Sequence, residues 1–223
     1  MNTIIVTIFT HNRPDMLREL VRQIRQARPT ARTLIVDDAS ENQQPDLANT
    51  YIRYEEAGGK PLFWTRWNAA LSSLAKMPSA DTYLFTQDDI RDIDFDRIDA
   101  IATEYAHKPH LFNTINDGRE VCWNPIRRHL ITPDLYRSYF TDCHFFCNSA
   151  VLSAIGWKLH PIPASRFNAN PSISSGVGQQ LTQRLNEARN VTIYQPVKSL
   201  CYHGDHPSVM HPSERVKTPL ISL

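Results

Sequence analysis

The stretch YLFTQDDIRD, residues 83–92, drives an apolar, strand-like run straight into two adjacent carboxylates, Asp88 and Asp89. Like charges side by side at the end of a buried element repel each other, so either they turn to water or something positive stands between them. A second acidic pair, Asp37 and Asp38, ends the run RTLIVDD at residues 32–38. A hard divalent cation such as Mg²⁺ or Mn²⁺ prefers oxygen ligands and bridges one or two carboxylates to phosphate oxygens. Such a cation is one way to supply the missing counter-charge. The competing reading is a solvated acidic turn that continues into RDIDFDRID.

The elements around the acids decide whether they can meet. TIIVTIFT, residues 3–10, is a β-branched run that predicts a buried strand. In HNRPDMLRELVRQIRQARP, Pro14 suits a first helical turn, and Asp15 and Glu19 lie near the positive end of the helix dipole. Leu17, Leu20, Val21 and Ile24 follow the i, i+3, i+4, i+7 spacing of one apolar face, and Pro29 ends the helix. RTLIVDDASEN and TYIRYEEAGGK predict a second and a third strand, and WTRWNAALSSLAKM a helix with Trp67, Ala70, Leu71 and Leu74 in phase. With the strand at 83–87 this gives an α/β sheet with parallel neighbours. Ligands of open α/β sheets collect beyond the carboxyl ends of the strands, which predicts one crevice shared by both acidic pairs. Beyond residue 110 the pattern loosens: CHFFCNSAVLSAIGW predicts a strand and a short helix stopped by Gly156. A further helix is expected from about Gly178, then a late strand and a His-rich tail.

A chain of 223 residues with 41% hydrophobic and 21% charged residues has the makings of one substantial core. Net charge is +1 but uneven: residues 1–118 hold 13 Lys and Arg against 17 Asp and Glu, and residues 119–223 hold 11 against 6. That split suits a cation site in the front part and an anionic ligand or acceptor near the back. It excludes a uniformly basic nucleic-acid footprint. The cysteines form no C-x-x-C pair, and Cys143 and Cys147 lie in an apolar stretch that predicts buried thiols. No apolar run is long enough to span a membrane, and MNTIIVTIFTHN lacks the basic leader of a signal peptide, so the expectation is a cytoplasmic protein.

The blocks IIVTIFTHNRPDMLREL, LIVDDASEN, GGKPLFWTRWNAAL and YLFTQDDI, in that order, resemble the N-terminal blocks of GT-A-fold, nucleotide-sugar-dependent glycosyltransferases (family-2-like); FFCNSAVLSAIGW is similar to their later acceptor-side block. The resemblance implies an α/β GT-A-type, mostly parallel sheet flanked by helices, with a smaller acceptor-side lobe. Residues 1–118 would be the nucleotide-sugar-binding part of a single domain. Residues 119–223 would be the acceptor-side part and a C-terminal tail contacting metal and diphosphate. It implies transfer of a sugar from a nucleotide-diphosphate donor to a hydroxyl acceptor (a glycan, a protein, a small molecule or modified DNA), with Mn²⁺ or Mg²⁺. Thr10, His11, Asn12 and Arg13 match the loop that lines base and ribose, and Asp38 the acid after the second strand that contacts them. Gln87-Asp88-Asp89 takes the place of the family's acidic metal motif, often D-x-D, with Gln at its first position. Asp89 is then the metal ligand, and Asp88 contacts ribose or a metal-bound water. His203, just after a late strand, resembles the C-terminal metal-binding His of many such enzymes, and a His ligand favours Mn²⁺.

The catalytic base is where the pattern departs. The stretch SSGVGQQLTQRL places Gln179 and Gln180 where inverting members carry an acid, and an amide cannot take the acceptor's proton. Asp142 and Asp205 are the substitutes by residue type; inverting and retaining chemistry both stay open. Arg66 is a candidate phosphate contact, and Trp64 and Trp123 are candidate stacking residues. Two alternatives stand beside the enzyme reading. One is a phage-type DNA glycosyltransferase acting on a hydroxymethylated base, which would have to be flipped out of a duplex. The other is a non-catalytic nucleotide- or glycan-binding module.

Overall fold

The computed structural model describes residues 2–116, 129–141, 143–160, 176–188 and 190–204. The front part alternates as expected: β1 (Ile4–Thr10), α1 (Pro14–Ala27), β2 (Arg32–Asp37), β3 (Thr50–Arg53), α2 (Gly59–Leu74) and β4 (Thr82–Gln87). There follow β5 (Ile90–Arg91), α3 (Phe95–Glu104), β6 (His110–Asn113), β7 (His129–Thr132), β8 (Leu135–Ser138), β9 (Phe145–Cys147), α4 (Ser149–Ala154), α5 (Val177–Ala188), β10 (Thr192–Pro196) and β11 (Tyr202–His203).

Among the described residues one sheet has nine strands in the order β3-β2-β1-β4-β9-β6-β10-β8-β7. β3, β2, β1 and β4 are mutually parallel; β9 and β8 run against the other strands of the sheet. The mostly parallel α/β plan expected from the sequence is therefore present. Strands from beyond residue 119 do not stand apart: β9 is inserted between β4 and β6, so both parts of the chain share one sheet.

The helices cover the sheet with the faces their spacing predicted. Leu17, Leu20, Val21 and Ile24 of α1 are all buried, as are Trp67, Ala70, Leu71 and Leu74 of α2. Trp67 stacks between Phe9 and Phe85, ring centroids 4.9 and 4.8 Å away, so it is a core residue beneath the strand ends. β1 is buried along its whole length, which suits a central parallel strand covered on both faces. Its β-branched residues give the run of Ile, Val and Thr a physical reason.

Among the described residues a second sheet has two strands. Ile90 pairs with His203 and Arg91 with Tyr202, antiparallel. This short ladder, extended by the bond from Gly204 N to the Asp89 carbonyl at 2.6 Å, brings the late part of the chain to the end of β4.

Candidate active site

The crevice is built where β1, β2 and β4 end. The ladder continues one step past the strands: Asp38 N donates to Thr10 O at 3.0 Å and Asp88 N to Phe9 O at 3.2 Å. Parallel register thus sets the ends of three strands side by side, which is why acids far apart in sequence lie at one rim.

Asp88 and Asp89 are both buried rather than turned to water, with 5% and 1% exposure. Thr10 Oγ1 donates to Asp88 Oδ2 at 2.7 Å, and His11 N reaches the same oxygen at 3.4 Å. The positive group between the acids is Arg13: its Nη1 is 3.2 Å from Asp88 Oδ1 and 3.1 Å from Asp89 Oδ2. Burial lifts the Asp88 carboxyl above its ordinary range, against the Thr10 hydrogen bond and the Arg13 charge. Burial pushes Asp89 upward too, but His203, His144 and Arg13 together outweigh it and hold Asp89 well below the usual carboxylate range. The two neighbours therefore titrate in opposite directions because only one of them faces the histidines.

His203 stands across from Asp89, its Nδ1 3.7 Å from Asp89 Oδ1. That is beyond hydrogen-bond length. The Nδ1 atom is buried and has no hydrogen-bond partner among the described residues. His144, at the start of β9, meets the His203 ring edge to face with centroids 4.9 Å apart. The sequence reading missed His144. Its only signal was a polar residue inside the apolar stretch CHFFC, which local spacing cannot separate from an ordinary core histidine.

The remaining residues of the loop after β1 stitch it to the loop after β2. His11 Nδ1 lies 2.6 Å from the Asp38 carbonyl oxygen, so this nitrogen carries the proton. Asn12 N donates to Ser40 Oγ at 2.8 Å, and Glu41 N donates to Asn12 Oδ1 at 2.8 Å. Asn12 and Ala39 both take left-handed backbone, φ 52° and 62°. Asn tolerates this readily, whereas Ala39 is strained and is held by the Ser40 N bond to Asp37 Oδ1 at 2.8 Å. Asp37, 1% exposed, also accepts the Tyr51 hydroxyl.

Asp38 and Arg66, expected at ribose and phosphate, are partners of each other. The Asp38 carboxylate accepts from Gly58 N at 2.9 Å, Gly59 N at 2.8 Å and Arg66 Nε at 2.6 Å. Arg66 is 6% exposed, lies over the Tyr54 ring at 3.8 Å, and donates from Nη2 to Glu56 O at 2.7 Å. A Cβ on Gly58 would come within 2.6 Å of the Arg66 guanidinium, so glycine is what lets the chain close over it. Together they clamp the entry of α2 to the end of β2.

Trp64 lies within α2, partly buried and packed on the core, rather than in the loop setting expected for a stacking residue. Gln180 is buried on α5, and Gln179 lines a polar groove with Thr182, Gln183, Asn186 and Glu187. Asp142, Asp205 and Trp123 lie outside the described residues.

A metal site can be tested against this geometry. Among the described residues no group of three or more His, Cys, Asp and Glu could hold a metal ion unaided. Asp89 Oδ1 and His203 Nδ1 are nevertheless a carboxylate oxygen and an imidazole nitrogen at a separation that two metal–ligand bonds of roughly 2.1 Å can bridge. Two protein ligands suffice where phosphate oxygens complete the shell, so the residues fit a diphosphate-bound divalent cation as a partial ligand set.

No protein-family model matches the chain, and no curated protein matches its sequence. Solved structures do. A mannosyltransferase from Pyrobaculum calidifontis, in complex with GDP-Man and Mn²⁺, is 15% identical with a TM-score of 0.56 over 86% of this chain and 56% of its own. GalNAc-T7 with UDP, GalNAc and Mn²⁺ is 11% identical with a TM-score of 0.60 over 95% of this chain and 46% of its own. Glucosyl-3-phosphoglycerate synthase from Mycobacterium tuberculosis, with Mn²⁺, UDP and glucosyl-3-phosphoglycerate, is 12% identical with a TM-score of 0.55 over 92% and 73%. The chain thus spans about half the length of the first two. Identities this low speak to architecture: the chain has the GT-A-type α/β fold found in these nucleotide-sugar glycosyltransferases.

Proposed function

We propose that this chain transfers a sugar from a nucleotide-diphosphate donor to a hydroxyl acceptor in the crevice beyond β1, β2 and β4, with a divalent cation held by Asp89 and His203. The observation that carries this reading is the His203 Nδ1 atom, buried, without a hydrogen-bond partner among the described residues and 3.7 Å from a buried carboxylate oxygen. A metal there would neutralise charge on the departing diphosphate as a Lewis acid. Mn²⁺ is the cation that accepts both ligand types, and the Mn²⁺ in the three related structures supports it. Asp88 keeps the loop after β1 in place through Thr10 and His11, so that His11 and Asn12 offer a fixed wall to the nucleoside. In this reading residues 1–118 bind the donor, and residues 119–223 supply the acceptor side and the histidines.

No helix of the described residues is long and apolar enough to cross a membrane. A cytoplasmic enzyme acting on a hydroxyl acceptor is the reading we adopt. The test is hydrolysis or transfer from a panel of UDP- and GDP-sugars with Mn²⁺. Turnover should require the metal and fall by at least about 100-fold in Asp89→Ala, which removes an interaction worth roughly 3 kcal/mol in the transition state. Equal activity in the two proteins would remove the proposal. The buried Gln180 and the amide-lined groove beside it favour a second reading, a non-catalytic nucleotide-binding module. Calorimetric binding of a nucleotide diphosphate without turnover of any sugar donor would select that reading.

A further inference from the structure

Five residues of α5, Gln179, Thr182, Gln183, Asn186 and Glu187, line a groove of about 630 Å³, within the range of roughly 300–1,000 Å³ typical of small-ligand sites. Their spacing of three and four puts them on one helix face, away from the buried Val177, Leu181 and Leu185. The exposed face of α1 is different in kind: there Arg18 pairs with Asp15 and Arg22 with Glu19. Along the groove the side chains are amides and a hydroxyl. Among the described lining residues the sole charge is Glu187, which accepts from Gln183 Nε2 at 2.9 Å. Thr and Asn are poor helix formers, so propensity does not account for their place here. One anchor ties the groove to the sheet: Thr141 N donates to Thr182 Oγ1 at 3.0 Å, and Thr141 Oγ1 to Asn113 Oδ1 at 2.7 Å. Phe140, the neighbour of Thr141, is 46% exposed, and its carbonyl accepts from Asn113 Nδ2 at 3.0 Å. An exposed aromatic side chain is thereby fixed beside the Thr182 end of the groove.

The anchor stands at the same end of the sheet as the acids. Asn113 ends β6, which runs parallel to β4 because β9 opposes both. The next residue, Thr114, donates from N to the His144 carbonyl at 3.0 Å, and the His144 ring meets His203. We propose that this groove is the acceptor subsite and that the acceptor is a neutral saccharide, its hydroxyls held by the amides of α5 and one ring face laid against Phe140. The acceptor role rests on the reading of the crevice as a sugar-transfer site; the binding of a saccharide does not. Each sugar hydroxyl both donates and accepts, as a carboxamide does, so amides match a polyol without any charge. A pyranose also has an apolar face that an aromatic ring can cover. An anionic acceptor fits poorly, because the one charge in the groove is negative.

The probes are cellobiose, maltose, lactose and mannobiose, each titrated against the folded protein without metal or nucleotide and followed by saturation-transfer NMR. At least one should bind, and its 1-phosphate should bind at least about threefold more weakly, since Glu187 repels it. A Gln183→Ala, Asn186→Ala double variant should lose at least about tenfold in affinity, the worth of two hydrogen bonds. Phe140→Ala should lose at least about threefold. All three positions are exposed, so the melting temperature of both variants should stay that of wild type, which separates lost contacts from lost folding. Binding of none of the four, or binding that survives both variants, overturns the proposal. Equal binding of the 1-phosphate overturns the neutral-ligand assignment, and displacement of the disaccharide by UDP makes the groove a nucleotide site instead. Groove binding as expected with no sugar transfer from any donor overturns the transfer reading and leaves a saccharide-binding groove.

Discussion

Replacing Asp38 by Ala separates a structural acid from a ligand-binding one. The carboxylate serves two backbone N–H groups, those of Gly58 and Gly59, and the guanidinium of Arg66, at 2.9, 2.8 and 2.6 Å. Arg66 is 6% exposed, so the change leaves a buried cation without its anion. An exposed pair would contribute about 0–1 kcal/mol, whereas removing one partner of a buried pair costs about 3–5 kcal/mol. The Tyr54 face and the Glu56 carbonyl still hold the guanidinium, which argues for the low end, about 3 kcal/mol. For a chain of this size each kcal/mol moves the melting temperature by roughly 2–4 °C, so Asp38→Ala should melt about 6–12 °C lower. Chemical denaturation should show the same loss, and Asp38→Asn, which keeps an acceptor for the glycine N–H groups, should lose about half as much. In an Asp38→Ala, Arg66→Met double variant most of the loss should return, because no buried charge is stranded. A loss under about 1 kcal/mol together with abolished nucleotide binding would refute this reasoning and make Asp38 a direct donor contact.

Two further outcomes follow from the packing. Trp67→Ala should destabilise by about 3–5 kcal/mol in chemical denaturation, since Trp67 is fully buried between Phe9, Phe85 and Phe145; a loss under about 1.5 kcal/mol would show that the site floor repacks. Burial raises the Cys147 thiol well above its usual range and the Cys201 thiol to about 12, and Cys143 is buried too. In a Cys122→Ser protein a thiol reagent should therefore label nothing in the native state and all three after denaturation, and rapid native labelling would contradict the packing of β9.

The local periods of the sequence determined the elements and their inner faces. The four apolar positions of α1 and the four of α2 point to the core because a 3.6-residue repeat leaves no other face to bury. The apolar runs before Asp37 and before Gln87 determined that acids would end two parallel strands; the sheet order, with β1 between β2 and β4, is what sets them on one rim. What local pattern could not determine is which charge meets which. Asp38 and Arg66 stood as separate candidates for nucleoside and phosphate, and only the closure of the chain at Gly58 brought them together. Arg13 matched the loop that lines base and ribose, and the parallel register of β1 with β4 is what lays it across two carboxylates. His203 reaches Asp89 through the pairing of two two-residue strands more than a hundred positions apart, and His144 through β9 inserting beside β4. Sequence spacing encodes the direction of a side chain on its own element. The distance between charges on different elements is set by strand order and register, and those are properties of the assembled sheet.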